Sequence, residues 1–327
     1  MPASDHNPYS VTLSNAKGLC AQRQRFFAAL RMTGRGNGSP TRWFSFAFTG
    51  LAIAFLAAMV ALFVWQSLPV WWHEGLGYLT GQRWYYRAEQ FGALPMMFGT
   101  AMVAVIALAL AAPVGIGAAL FTAEILPARL RLAMKILIEL LAGVPSVVYG
   151  LLGILYLRNW VYRGLTPFDP LSGDTLLTAG ILLAVMILPT VMTLSDDALR
   201  GVPAAQRHAA RGLGLTRAET VLGVTLPQAL PGIVAALLLG LGRALGETIA
   251  VFLVVGRQDN QALSLRTVIE AGQTLTSKLG GSETNIAYGD PLHWAAMVGL
   301  GLILLATTVA VTLIGSWLAQ RRPVCDA

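Results

Sequence analysis

Six stretches of this chain are almost wholly apolar, and each is close to the length that crosses a bilayer. They lie roughly at residues 44–65, 98–121, 136–157, 176–194, 232–255 and 294–318. A helix rises about 1.5 Å per residue, so about 20 residues traverse the hydrocarbon core. Backbone polar groups find no water there and must bond within their own segment, which makes each stretch a helix. With 55% hydrophobic residues and only 12% charged ones, little polar sequence remains for a separate soluble domain. The expectation is an all-α membrane protein with six transmembrane helices.

The formal net charge of +7 does not mark a nucleic-acid binder, because the positive residues are spread over short loops between apolar spans. Their distribution does set an orientation. Fifteen of the 23 Lys and Arg fall in the N-terminal tail, loops 122–135 and 195–231, and the C-terminal tail; the other three loops hold seven, and the last is Arg243. Positive loops stay inside, so both termini are expected in the cytoplasm. Cys20 and Cys325 stand in opposite tails and frame no disulfide or metal site. No GxxxxGK[ST] loop and no HExxH occurs, and four scattered histidines make no acid, base and nucleophile set. The chain is therefore expected to hold no cofactor and to catalyse nothing itself. The polar, basic stretch 1–41 is expected to be a mobile cytoplasmic tail, with a short amphipathic helix around 25–31 as an option. Residues 321–327 form a second tail.

The stretch 202–256 joins two unlike halves. The apolar half, 232–255, is 24 residues long and carries Arg243 near its centre. A charge there costs about 2.5–3.5 kcal/mol on insertion scales. Read as one helix, it places Glu247 one turn after Arg243 on the same face, with Ala236, Gly240, Gly246 and Ala250 on or near that face. Val234, Leu238, Leu241, Leu245 and Phe252 form a lipid-like face opposite. Gly242 and Gly246 make a GxxxG pair that permits close helix approach. Two readings stay open: a structural ion pair that fixes packing, or an arginine that meets an anionic solute in transit while Glu247 orients it or gates the path.

The polar half reads as a docking element. Ser195 and Asp196 can cap a short helix, which the Val202–Pro203 step breaks. A helix over 204–213 is followed by Gly214, suited to a left-handed turn. Thr216 with Glu219 makes a capping box for the next helix, and Pro227 and Pro231 mark where the fifth span begins. A surface helix-turn-helix without a partner is the plain alternative.

Elsewhere the signals are weaker. Loop 66–97 carries Trp71, Trp72, Trp84, Tyr85 and Tyr86, read as an interfacial aromatic belt or as a contact for an outside partner. Pro113, Pro145 and Pro189 mark either bends near a pathway or irregular packing. Glu139 is a packing or interfacial carboxylate, or part of a gate. Loop 257–293, with mixed charges, reads as a solvated surface.

The segment HAARGLGLTRAETVLGVTLP resembles the signature of importer-type ABC permeases, E-A-A, three residues, G, nine residues, I, one residue, L-P. His208, Ala209, Ala210, Gly214, Val224, Leu226 and Pro227 occupy those places in register. IELLAGVPSVVYGLLG at 138–153, LGLGRALGETIAV at 239–251 and AGQTLTS at 271–277 resemble permeases of the PstC type from phosphate ABC importers. The resemblance covers roughly residues 43–320. It implies the type I ABC importer fold, divided as tail 1–41, first helix and outer loop 42–97, transmembrane core 98–320 with coupling segment 202–227, and tail 321–327. It implies a sister permease of the PstA type, two ATPase subunits that hydrolyse ATP with magnesium, a periplasmic phosphate-binding protein and surrounding lipid. Arg243 and Glu247 would line the substrate pathway; His208, Ala209, Ala210, Gly214, Leu226 and Pro227 would carry ATPase coupling. One departure stands out: the usual acidic first position is His208. Molybdate or sulfate is the same-fold alternative, and a self-sufficient secondary transporter the different-class one.

Overall fold

In a computed structural model the described residues are 40–168 and 171–320. The tail ahead of Pro40, the optional helix at 25–31, both cysteines and the tail 321–327 lie outside them. Twelve helices carry the fold as described here. They are α1 (Pro40–Glu74), α2 (Leu94–Leu120), α3 (Ala128–Ala142), α4 (Ser146–Leu152), α5 (Arg158–Leu165) and α6 (Leu176–Gly201), then α7 (Ala204–Gly212), α8 (Arg217–Thr220), α9 (Leu226–Gly246), α10 (Ile249–Val254), α11 (Leu275–Leu279) and α12 (Pro291–Gln320). Single π-helical turns at Phe121–Ile125, Gly153–Leu157 and Val221–Thr225 extend α2, join α4 to α5 and join α8 to α9.

Five helical stretches are long and apolar enough to cross a membrane, and a bent pair makes up to six. The bent pair corrects the expectation of a straight third span. Residues 129–142 and 146–168 meet at 86°, because Pro145 has no N–H to offer the helix and biases Val144 away from helical geometry. The fifth span is also not one helix. It is helical from Arg217, through Pro227 and Pro231, and stops at Gly246; Glu247 adopts an extended backbone (φ −74°, ψ 120°) before α10 resumes. The expected cap at Ser195 and Asp196 is absent as well. Both lie inside α6, where Asp196 is buried and accepts bonds from Thr122 Oγ1 (3.0 Å) and Arg200 Nη2 (2.9 Å). With its carboxylate engaged by side chains, it does not compete for the helix backbone.

The chain divides into two compact units, residues 1–61 and 62–327. In the first, α1 exposes Trp43, Phe44, Phe46, Phe48 and Phe55, which suits lipid rather than water. In the second, three clusters stack along the spans. The central one packs Val103, Ala107 and Ala111 of α2 with Leu183 and Ile187 of α6 and Val251 and Val254 of α10. A second cluster, at the end where α1 finishes, joins Val70, Tyr78, Trp84, Phe91, Met96, Leu275 and Leu300. A third, at the opposite end, joins Ala119, Met192, Leu199, Ala229 and Ile233.

The α1-end cluster revises two loop expectations. Trp84 is not in an interfacial belt: it is 3% exposed and meets Phe91 edge-on at 5.2 Å, although Trp72 and Tyr85 remain exposed. Nor is loop 257–293 simply solvated. Lys278 is 1% exposed, bonds both Asp259 carboxylate oxygens at 2.8 Å, contacts Glu283, and lies 5.2 Å from the Trp84 ring centre. His293, also buried, bonds Glu283 at 3.2 Å. Burial pushes the Asp259 carboxyl above its ordinary range; the Lys278 ammonium opposes that, and the Glu283 charge adds to it. The charges pair because a lone buried ion is too costly to keep.

Candidate functional site: a broken span and a tethered surface helix

The fifth span positions the first candidate pair. Ala229, Ile233, Ala236, Gly240 and Ala244 of α9 are buried, spaced three and four residues apart, and this small-residue stripe packs on α6, with Gly240 close to Val191. The expected lipid-like face is not exposed within this chain: Leu245 is 8% exposed, and Val234, Leu238, Leu241 and Phe252 are half-buried. A Cβ added at Gly242 or Gly246 would meet nothing within 4 Å, so the GxxxG pair supports no close helix approach among the described residues.

Arg243 lies in the last turn of α9, where the helix dipole favours a cation. Its side chain is exposed and Nη1 donates one long bond, 3.4 Å, to Thr190 Oγ1 of α6, the residue after Pro189. It also borders an open cavity of about 380 Å³ beside Thr308, Thr312 and Ser316, whose hydroxyls already bond carbonyls of their own helix. Because α9 ends at Gly246, Glu247 does not follow one helical turn later. Its Oε1 accepts instead from the Ala250 N–H at 3.2 Å, satisfying a donor that the break leaves free at the start of α10. Among the described residues Arg243 and Glu247 form no ion pair with each other.

The second group sits at the opposite end from the Lys278 network. Pro203 opens α7 and Gly214 closes it. The Leu215 N–H bonds the Ala210 carbonyl (3.3 Å) and the Gly214 N–H bonds that of Arg211 (3.0 Å), the two bonds of a Schellman ending, with Gly214 at φ +87° as that ending requires. Thr216 and Glu219 form the capping box. His208 and Ala209 face outward, Ala210 is 5% exposed, Leu226 is half-buried and Pro227 exposed. The structure thus gathers His208, Ala209, Ala210 and Gly214 on one short helix and its turn, with Leu226 and Pro227 at the start of α9.

What the residue pattern did not disclose is how α7 is held. Arg207 Nη1 bonds Glu124 Oε1 at 3.0 Å, at the π-helical end of α2, and its Nη2 bonds the Leu199 carbonyl of α6. Glu124 is 9% exposed. Arg131 of α3 donates to the carbonyls of Thr122, Ala123 and Leu126. A single Glu before a Pro-containing loop gives no periodic signal, so only the folded arrangement pairs it with Arg207. Among the described residues no group of His, Cys, Asp and Glu could hold a metal ion.

By fold the chain is classed with type I ABC importer permeases. Solved structures share the fold. A bacterial alginate ABC transporter, in complex with a periplasmic protein holding an alginate pentasaccharide, matches with TM-score 0.58 at 15% identity, covering 86% of this chain and 96% of that one. The inward-facing MetNI methionine ABC transporter matches with TM-score 0.51 at 17% identity, covering 68% and 92%. Residues 111–323 match the family described as binding-protein-dependent transport system inner membrane component. The phosphate transport system permease protein PstC of Mesorhizobium japonicum is 34% identical over 83% of this chain and 84% of its own length. PstC 1 of Mycobacterium tuberculosis is 37% identical over 71% and 73%, and the probable ABC transporter permease YqgH of Bacillus subtilis 32% over 84% and 90%. The chain belongs to the binding-protein-dependent inner membrane component family and, within it, to the PstC group of multi-pass membrane permeases.

Proposed function

We propose that this chain is one of two permease subunits of an ATP-driven phosphate importer, itself non-catalytic, forming half of the translocation pathway beside a sister permease. The observation that carries the reading is Arg243: an exposed guanidinium at a break in a membrane span, without a carboxylate partner among the described residues. An arginine kept in such a place needs an anion, and its fork suits phosphate oxygens. The relatives named as phosphate permeases support the same solute. Glu247, by bonding the start of α10, holds the break open next to Arg243; its role in the pathway is through that position.

Both termini would lie in the cytoplasm, as the distribution of Lys and Arg favours. The α7 helix would then face the ATPase subunits, and the Lys278 network would face the periplasmic phosphate-binding protein. ATP and magnesium are handled by the ATPase partner, not by this chain. Closure of that partner would push α7, and α7 pulls on α2 through Glu124 and on α6 through Leu199 by way of Arg207. Rigid helices moved in this way give alternating access.

The test is uptake in vesicles that contain this chain, the sister permease, the ATPase and the binding protein, with labelled phosphate against molybdate and sulfate. ATP-dependent uptake of phosphate alone is expected, and Arg243→Gln should abolish it while the complex still assembles. Uptake of another oxyanion would keep the fold and overturn the solute. Uptake without ATP would make the chain a secondary transporter.

A further inference from the structure

We infer that the coupling face of this chain is a cation-lined cleft that receives an acidic segment of the ATPase partner; this rests on the proposed role of α7 in docking that partner. The cleft, about 520 Å³, lies between the 123–131 turn and the α7–α8 segment. Its lining carries one acid, Glu124, against Arg131, Arg207, His208, Arg211 and Arg217.

The charges in this cleft are not equivalent. Glu124 is neutralised by Arg207, and Arg131 is spent on three backbone carbonyls. Arg211, Arg217 and His208 remain. All three are exposed, and among the described residues none has an ion pair or a side-chain hydrogen bond. The one nearby exposed acid, Glu219, is turned back onto Thr216 in the capping box. The cleft therefore presents uncompensated positive charge to whatever covers it.

The make-up of α7 favours a protein over a lipid surface. Its sequence, AAQRHAARG, has no large apolar residue, whereas a helix that lies in a membrane interface needs a continuous face of such residues. The large exposed apolar side chains at the cleft include Ile125 in its lining, 62% exposed, and Leu213 at the turn after α7, 84% exposed. Isolated apolar side chains among cations fit a protein anchor with a polar rim. His208, where the signature carries an acid, belongs to the same reversal: the carboxylate is expected on the partner.

The experiment uses the assembled transporter, purified through a tag on this chain. ATPase subunits retained per permease are measured across ionic strength, in detergent and in nanodiscs of zwitterionic or anionic lipid, for wild type, Arg211→Glu with Arg217→Glu, the same pair changed to Gln, and Ala209→Trp on the exposed face of α7. The expected result is that retention by wild type falls with salt, that the double Glu variant loses about tenfold or more in retention in every medium, and that the double Gln variant falls between. The Gln pair guards against a folding defect caused by new charge. If Ala209→Trp breaks retention while the charge variants do not, docking at α7 stands and the acidic partner is overturned. If Ala209→Trp, the charge variants and salt all leave retention unchanged, docking at α7 fails and takes the inference with it. An effect of the charge variants confined to anionic discs would identify the membrane as the occupant and overturn the proposal.

Discussion

Replacing Lys278 with Met should loosen the whole α1-end cluster. Its ammonium is 1% exposed and holds two carboxylates, Asp259 at 36% and Glu283 at 19% side-chain exposure. Methionine keeps the apolar stem but leaves both acids facing each other without a cation. Removing one partner of a buried ion pair costs about 3–5 kcal/mol. The partial exposure of Asp259 lets water repay some of that, which places the expectation near 3 kcal/mol. At about 1.4 kcal/mol per factor of ten, that is roughly a hundredfold. Because Glu283 also accepts from Trp84 Nε1 at 2.8 Å and bonds His293, the loss should reach beyond α11. Hydrogen exchange of the purified protein would read it: amides of Leu275–Leu279 and of the Trp84–Phe91 hairpin should lose about two decades of protection, while those of α6 should not change. Adding Asp259→Asn and Glu283→Gln to Lys278→Met should recover much of it, since no unpaired charge then remains. Unchanged exchange in the single variant, or a triple variant as loose as the single one, would refute the account of this network as a charge-balanced cluster.

The same network predicts a pH dependence. The Asp259 carboxyl titrates above its ordinary value when folded, so its contribution is unfavourable at neutral pH. Protection of the α1-end cluster, corrected for intrinsic exchange, should rise on acidification through that raised value and level off at the ordinary one; Asp259→Asn should flatten the profile. Gly214→Leu meets no steric block, but φ +87° costs a side chain about 1–2 kcal/mol. It should unfold the turn after α7 and lower solute-stimulated ATP hydrolysis by the assembled transporter, and normal hydrolysis would count against docking there. Glu124→Ala strands Arg207 at the root of α7, so ATP hydrolysis should continue with uptake reduced, measured as phosphate moved per ATP. Gly150→Val drives a side chain into Ala250 and Leu253 where α4 meets α10; a loss of about 1–3 kcal/mol is expected in a thermal or chemical unfolding assay of the solubilised protein.

The spans were readable because lipid leaves few options: length and apolarity placed the second and sixth within four residues of their helices, although the fifth helix begins at Arg217, well ahead of residue 232. The α7 ending was readable for a local reason, since Gly214 and the Thr216–Glu219 pair act within a few positions of themselves. The breaks were harder. Pro145 left a bend and irregular packing equally open, and nothing near it gave the 86° angle. The stop at Gly246 had no proline to mark it, and a Gly followed by Glu and Thr looks like an ordinary polar interruption in an otherwise apolar run. Reading through it put Glu247 on the face of Arg243, whereas the folded chain uses that carboxylate to cap α10. Lys278 and Glu124 were unreadable for a different reason. Their partners come from elements 5 to more than 80 residues away, and nothing in a mixed-charge loop tells a buried cation from a solvated one.

The two broken spans are not independent of each other. The half-helices that resume after the breaks, α4 and α10, pack together, and Gly150 brings α4 within close range of the Ala250 backbone. Both join the central cluster, with Tyr149 on one side and Val251 and Val254 on the other. Non-helical backbone at membrane depth is tolerated only where protein surrounds it or where it lines a water-filled cavity. At the first break, Gly143 and Pro145 are exposed within this chain; at the second, Gly246 is exposed and Arg243 lies three residues before it. Among the described residues no protein covers them, and lipid cannot. What remains is a second permease or a wet path, and an importer with paired permeases supplies both in one place. The breaks thus support the placing of Arg243 by a route separate from its charge. On the proposed reading the break three residues after Arg243 serves the path, and a packing pin alone would not call for it.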